Sequence, residues 1–380
     1  MAEYLTNTAD LTAVANAIRE KGGTSEQLAC PDGFVAAIQA IQTGAPLQIA
    51  VTTNAGATVT ATKGSKTVSG TADTSGHCTL TVDEAGTWTI TAATASTTKT
   101  SDVAVGISNV DLPLVDSVLN NNSWETIKKV SDAGQGENYW SVGDRKAVTL
   151  NGTVGKLSLS NVTIYAFIIG FNHNASVEGA NRIHFQLAKT ALSGGTDVCF
   201  CDNKYGPDSG WSRPGTGYFV MNASNTNSGG WKSSQMRTNI CGTSLSSYSG
   251  TIIAVIPAAL RAALKSVTKY TDNIGGGSYP SASNVTATTD YFFLLSEYEI
   301  FGSIARANTN EKNKQAQYAY YSAGNSKIKY KHNGTTTAAF WWLRSPDANV
   351  SSFFVYVSTG GSVNVNNAGY SLGFAPGFCV

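Results

Sequence analysis

Charged side chains are scarce in this chain. Lysine, arginine, aspartate and glutamate make up 13% of its 380 residues, about half the roughly 25% of an ordinary soluble protein. Serine, threonine, asparagine and glycine take their place. The formal charge of +1 comes from evenly scattered cations, so there is no basic stripe to grip phosphates, and no nucleic-acid partner is expected. No stretch approaches the roughly 18 apolar residues of a membrane span. The opening MAEYLTNTADLTAV has neither the basic region nor the apolar run of a secretory signal, so no signal peptide is expected, and work outside a cell would need another exit route, such as lysis.

Chemistry-bearing motifs are missing too. GxxxxGKS/T, HExxH, GxSxG after a strand and an EF-hand loop do not occur, and each absence weakens an enzyme reading. The six cysteines, Cys30, Cys78, Cys199, Cys201, Cys241 and Cys379, lack paired CxxC spacing and are expected to be buried free thiols. Cys199 and Cys201 would share a face of a strand. None of the four histidines, His77, His173, His184 and His332, lies four residues from another. His173 and His184 flank one strand pair and could meet in space, but a structural role is expected for each. Glu297 and Glu299 would share a face of an extended segment, as solvated or salt-bridged groups. Asp197, Asp202 and Asp208 match no calcium-loop spacing. No catalytic residue, metal or cofactor is assigned, and the expected protein is not an enzyme.

What is present divides into three parts, an α+β multidomain arrangement with boundaries at 1–45, 46–108 and 109–380. In the first, Asp10 is a candidate cap for a helix bearing Leu11, Val14, Ala15 and Ile18, stopped by Gly22-Gly23. Asp32 caps a second, with Phe34, Ala37, Ile38 and Ile41 on one stripe before Gly44. Helices this short bury little alone, so this N-terminal segment is expected to dock on something larger. In the second part, LQIAVTT, ATVTATKG, KTVSGT, HCTLTVDEAG and TWTITAAT alternate apolar residues with Thr and Ser between turn residues, as in a small immunoglobulin-like β-sandwich acting as a spacer. The third part is aromatic-rich. Ser123 is placed to cap a helix through Trp124, Ile127 and Val130 ended by Gly134; strands are expected at 146–150, 161–171, 182–187 (alternating) and 291–295; and Pro257 begins a helix with Leu260, Ala263 and Leu264 inward. The interval 190–239 is expected to form long loops plugged by Trp211 and Trp231.

The end of the chain, about 340–380, stands out. Between Asp347 and Ser371 there is no Lys, Arg, Glu, Gln, Met, Trp or His, and Asp347 is the only charge. Ser, Asn, Gly and Tyr dominate, the composition of adaptable recognition loops. Strand periodicity would pack Val355, Val357, Val363 and Val365 and turn Phe354, Tyr356, Ser358, Asn364 and Asn366 outward, with Thr359-Gly360-Gly361 as the turn.

The bracketing motifs WWLRSP and LGFAPGFCV resemble the variable region of proteins diversified by phage and bacterial retroelements, which use a C-type-lectin-like fold. SWETI, NYWSVGD, YAFIIGFNH, GGWKSSQMR, FFLLSEYEIFG and QYAYYSAGN extend the resemblance over about two thirds of the chain. Fully randomised positions in that family exclude Lys, Glu, Gln, Met and Trp, all absent from 347–371. ADLTAVANAIREKGGTSEQLACPDGFVAAI is similar to openings of tail-associated phage proteins. The resemblance implies display positions at Asp347, Asn349, Val350, Ser352, Phe353, Tyr356, Ser358, Asn364, Asn366, Asn367, Gly369 and Tyr370. Trp341, Trp342, Leu343, Arg344, Phe374, Pro376 and Phe378 become scaffold. It further implies a phage or prophage tail receptor-binding protein in the virion, attached to tail proteins through its N-terminal helices, trimeric, and acting at the host surface on a protein or glycan receptor. Neither Glu-Pro-Asn nor Gln-Pro-Asp occurs, so calcium-dependent sugar binding is not implied. Two other readings stay open: an enzyme like the formylglycine-generating family, needing Cys241 and Cys379 as a reactive pair, and a purely structural virion protein.

Overall fold

The structure, a computed structural model, describes residues 8–22, 27–28, 33, 35, 37–38, 47–95, 97–105, 110–277 and 280–380. It is a mixed α+β protein in which strands predominate and form several sheets. The chain divides into two compact units, Met1–Asp116 and Ser117–Val380.

The first unit opens with a helix over Thr8–Gly22. Ala15 and Ile18 are buried on its apolar stripe, while Leu11 and Val14 are half-buried. Asp10 lies inside this helix, not at its cap. For the second expected helix, Asp32, Phe34, Ile41 and Gly44 lie outside the described residues. Ala37 is buried, but Ile38, placed on the same stripe, is exposed, as is Val35.

Thr-rich strands then build two sheets. One runs in the order β4 (His77–Val82), β1 (Leu47–Thr52), β7 (Val110–Asp111). The other runs β3 (Lys66–Thr71), β2 (Thr58–Lys63), β5 (Thr87–Ala93), β6 (Thr98–Ala104). Every second residue of β4 and β5 is buried, as a half-covered antiparallel strand requires. Ile49, Val51, Val59, Ala61, Leu80, Trp88 and Ile90 form one core with Leu112 and Leu114. The outward threonines pair across strands, as Thr91 with Thr100 does at 3.3 Å, a modest stabilising contact.

The second unit centres on a five-stranded sheet in the order β14 (Phe292–Phe293), β20 (Gly377–Cys379), β10 (Ile183–Lys189), β9 (Leu157–Phe171), β8 (Arg145–Val154). The expected alternation over 182–187 is not one of exposure, because all seven residues of β10 are buried. Both faces of the sheet are covered. On one side lies the helix Trp124–Asp132, capped by the Ser123 hydroxyl, which accepts the Thr126 amide. Its Trp124 ring meets Phe185 at 5.6 Å and Phe378 at 6.1 Å. On the other, Tyr320 packs on Phe167 at 4.7 Å and the Tyr321 hydroxyl donates to Gln186 Oε1 at 2.6 Å. After Pro257 the helix Ala258–Ala263 buries Leu260 and Ala263, and Leu264 follows buried.

Around this sheet lie a mixed sheet, β11 (Val198–Cys199), β15 (Lys329–Lys331) and β16 (Gly334–Ala339), the hairpin β12 (Val267–Asp272) with β13 (Val285–Asp290), and a terminal antiparallel sheet. The last contains β17 (Trp341–Pro346), β18 (Phe353–Val357) and β19 (Val363–Asn367), in that order. Among the described residues no helix is long and apolar enough to cross a membrane.

β18 corrects the expected division of the hairpin. Phe354, Val355, Tyr356 and Val357 are all buried, because a central strand is covered on both faces and a period of two no longer separates packed from shown. On the outer strand, β19, only Asn364 is exposed; Val363 and Val365, expected to be packed, and Asn366, expected to be shown, are all half-buried. There the Asn364 and Asn366 side chains each accept from the next backbone amide, of Val365 at 2.8 Å and Asn367 at 2.9 Å.

Candidate functional site

Beneath the terminal sheet lies a buried ionic cluster that fixes β17. The Arg344 side chain is fully buried. Its guanidinium forks onto Glu299, with Nη2 to Oε1 at 2.8 Å, while Nη1 donates to the Leu294 carbonyl and Nε to Thr271 Oγ1. Lys269 Nζ donates to Glu178 Oε2 at 2.6 Å, Glu299 Oε1 at 3.0 Å and the Tyr318 hydroxyl at 2.8 Å. Burial alone would raise the Glu299 carboxyl; Arg344 and Lys269 overcome it and hold that group well below its ordinary value. Burial pushes Glu178 and Glu311 up to about 7. Burial, then Lys269, drives His173 down to about 3 and His184 well below its ordinary value.

The two histidines do meet, with ring centroids 5.5 Å apart. His173, Glu178 and Glu299 bring ligand atoms within 4.8 Å of one another, as a metal site would. However, the Lys269 ammonium is bonded to both carboxylates and Arg344 saturates Glu299. The positive charge that a metal would supply is already there, on side chains that are themselves buried. Glu297 and Glu299 do not share an extended face. The segment is a helix, Glu297–Phe301, with a capping box between Ser296 and Glu299, and the Glu297 carboxylate instead accepts the amides of Ala305 and Ala307.

The remaining candidates for chemistry are dispersed. Asp197 pairs with Lys189, Asp208 with Lys331, and Asp202 accepts from Phe219 N, Lys204 N and the Ser371 hydroxyl. Among the described cysteines, Cys78, Cys199, Cys201, Cys241 and Cys379 are free and buried. The sulfurs of Cys199 and Cys201 lie 3.9 Å apart, on one face. Cys379 contacts His184 Nδ1 at 3.3 Å, yet burial pushes its thiol up to about 12, and burial keeps Cys241 protonated as well. The activated thiolate that nucleophilic chemistry needs is absent from both.

The expected display residues separate into two groups. Asn349, Val350 and Asn364 are exposed, and Ser352, Phe353, Ser358, Asn366, Asn367 and Tyr370 are half-buried. Asp347, Tyr356 and Gly369 are buried, contrary to a display role. The Asp347 carboxylate turns inward to the Asn349 amide, and its own amide closes the loop onto the Phe353 carbonyl. Tyr356 lies edge-on to Phe340 at 5.3 Å and to Trp342 at 6.1 Å. Gly369 lies beneath the aliphatic stem of Arg213. The scaffold residues Trp341, Trp342, Leu343, Arg344, Phe374, Pro376 and Phe378 are all buried.

A second segment, 205–230, completes this face. Gly206 N donates to the Ser371 carbonyl, Asn222 N to that of Ala368, and Asn225 Nδ2 to Asn367 Oδ1 at 2.6 Å. Asn227, fully buried, holds the 347–353 loop through Nδ2, within 3.0 Å of the carbonyls of Asp347, Val350 and Phe353. Trp211 is not the buried plug expected of it. It is 36% exposed and held at φ +60°, a conformation that costs a bulky residue of order 1–3 kcal/mol and persists only where the surroundings impose it. Gly206 makes that possible, since a Cβ there would stand 2.8 Å from the indole. The ring meets Tyr370 at 5.3 Å and Phe340 at 5.8 Å, and Arg213 lies 5.5 Å over the Tyr370 ring. The result is an aromatic platform with asparagines beside it.

Residues 218–380 match DUF6273, a domain of unknown function. No curated protein matches the chain. The matched span carries Phe340, Tyr370 and the whole terminal sheet; Trp211 and Arg213 precede it.

The residues missed from the sequence are Trp211, Arg213, Asn225 and Asn227. Their signal was weak: Gly-Trp-Ser-Arg-Pro in an interval rich in Gly, Ser and Asn reads as a loop, and nothing local shows which loop meets the C-terminal strands.

Proposed function

We propose that this chain is a receptor-binding protein of a phage or prophage tail. Its N-terminal helical segment attaches to other tail proteins, an immunoglobulin-like sandwich spaces it, and a C-type-lectin-like domain, diversified at its end, turns its face to a bacterial surface receptor, protein or glycan. Trimeric assembly would multiply weak single contacts into avidity. The observation that carries the reading is Trp211: a large ring kept half-exposed in a strained backbone conformation, with Tyr370 and Phe340 against it and Asn349, Val350 and Asn364 exposed on the adjoining loops and strand. Strain of this kind gathers at binding and catalytic sites, and aromatic anchors carry most interface energy. The exposed Val35 and Ile38 support attachment at the other end. An enzyme of the formylglycine-generating type draws no support from Cys241 and Cys379, both protonated and buried among different neighbours.

The test is adsorption of the labelled protein to a panel of intact bacteria. Wild type should bind at least one strain saturably, and Trp211→Ala should weaken that binding about tenfold or more while leaving the thermal transition of the second unit in place. Equal binding by Trp211→Ala, or adsorption to no strain, would remove the proposal.

A further inference from the structure

Resting on that receptor-binding reading, we infer that the ligand of this face is a glycan bearing an anionic group, and that Trp211 and Arg213 are its fixed contacts, outside the diversified run. Within the face formed by 205–230 and 347–371, Arg213 is the one Lys or Arg, and it is exposed on the platform; Asp208, the acid of the first segment, is paired with Lys331. Its guanidinium has no carboxylate partner among the described residues; its stem packs against Gly369 and the guanidinium lies 5.5 Å over the Tyr370 ring. A guanidinium so oriented matches a carboxylate or phosphate with two parallel hydrogen bonds. Within 347–371 the sole acid, Asp347, is buried and turned inward, so no charge on that run opposes an anion.

The rest of the platform fits a sugar better than an apolar peptide. Trp211 and Tyr370 meet edge to face, an aromatic pair suited to the C–H faces of a pyranose, and among the described residues the Trp211 indole N–H and Tyr370 hydroxyl have no hydrogen-bond partner. Asn225 donates to Asn367, but its own Oδ1 is buried without a donor, and Asn349 and Asn364 stand exposed nearby. Amide side chains offer a donor and an acceptor together, which is what vicinal hydroxyls require. The face contains little exposed aliphatic surface; Val350 is the largest exposed aliphatic residue on it. In this division of labour Arg213 and Trp211 recognise what all the ligands share, and positions 349–353 and 364–370 distinguish among them.

Gly369 links the halves. A Cβ there would rest in ordinary van der Waals contact with the Arg213 stem at 3.5 Å, so position 369 lies directly against the fixed cation.

The experiment is a saccharide array carrying neutral glycans beside their uronic-acid, sialic-acid and phosphorylated counterparts, probed with the full chain, Trp211→Ala, Arg213→Ala and Arg213→Lys. Signal should concentrate on acidic glycans, the carboxylate and phosphate arms showing which group is taken. Arg213→Ala should lower it about tenfold, Arg213→Lys less, and added salt should weaken wild type more than Arg213→Ala. Signal confined to neutral glycans, or acidic binding indifferent to Arg213, would overturn the inference. Absence of any glycan signal from a protein that still adsorbs to bacteria through Trp211 would overturn it too, and leave receptor binding standing. Absence of both would remove the two together.

Discussion

Glu299→Gln isolates what the buried ionic cluster contributes. In the native chain Glu299 neutralises the Arg344 fork and shares Lys269 with Glu178. The substitution keeps the shape and one acceptor but leaves Arg344 with no carboxylate in contact and Lys269 with Glu178 alone, which burial already pushes up to about 7. An uncompensated buried charge of this kind costs about 3–5 kcal/mol. For a unit of this size that corresponds to roughly 6–20 °C in Tm, at about 2–4 °C per kcal/mol. Differential scanning calorimetry and urea titration, with the slope unchanged, would measure it. The double variant Glu299→Gln with Arg344→Met should recover part of the loss, since it removes the stranded cation together with its partner. A loss under about 1 kcal/mol for the single variant would mean that the cluster is wet or loosely packed, and would refute the account of β17 as a strand held from beneath.

The same cluster sets a pH profile. His173 and His184 have lowered values, so their contribution is lost as pH falls below their ordinary 6.5, toward about 3 for His173. Glu178 and Glu311, raised to about 7 from 4.5, act oppositely: their contribution is present below 4.5 and lost as pH rises through 7. His332, lowered to about 4 by burial, adds to the histidine side, and Glu297, raised by burial, to the carboxyl side. Urea midpoints of the second unit should therefore stay nearly level from about pH 4.5 to 6.5 and drop below, where the raised carboxyls no longer offset the histidines and Glu299, held low in the fold, is protonated in the unfolded chain; a steep loss already at pH 5.5 would contradict this. Tyr356→Ala should destabilise by about 3 kcal/mol, as a buried aromatic truncation does, whereas Phe353→Ala should cost under about 1 kcal/mol and act on binding; calorimetry separates them. Asn227→Ala should leave the 347–353 loop open to limited proteolysis where wild type resists. A thiol reagent should find Cys78, Cys199, Cys201, Cys241 and Cys379 unreactive until the chain is unfolded, and rapid labelling of Cys379 in native protein would contradict its burial.

Local chemistry was legible, and assembly less so. Ser123 and Pro257 begin helices where their side chains predict, and the period-two pattern of 47–104 gives strands, because capping and alternation are decided within a few residues. Two buried histidines eleven residues apart were legible as neighbours for the same reason, since one strand hairpin brings them together. The covering of β18 was not, because whether a strand lies at the centre or the edge depends on partners elsewhere in the chain. For that reason Tyr356 and Asp347 were placed on the surface, and Trp211, buried by expectation, was found exposed. Arg344 and Glu299 are 45 residues apart, with Lys269 30 residues before Glu299, and no spacing rule joins them.

The asparagines of β19 have a consequence for solubility. A strand with one hydrogen-bonded neighbour offers its other edge to any passing chain. At the outer strand of the terminal sheet, Asn364 and Asn366 occupy the amides of Val365 and Asn367 with their own side chains, so part of that edge is already taken. Substitution at these two positions therefore acts on the edge of the sheet itself. A variant carrying valine or isoleucine at both would gain apolar contact area and bare the two amides together, and the cost would appear as filament or aggregate growth at high concentration. The side chains tolerated at 364 and 366 are limited by self-association.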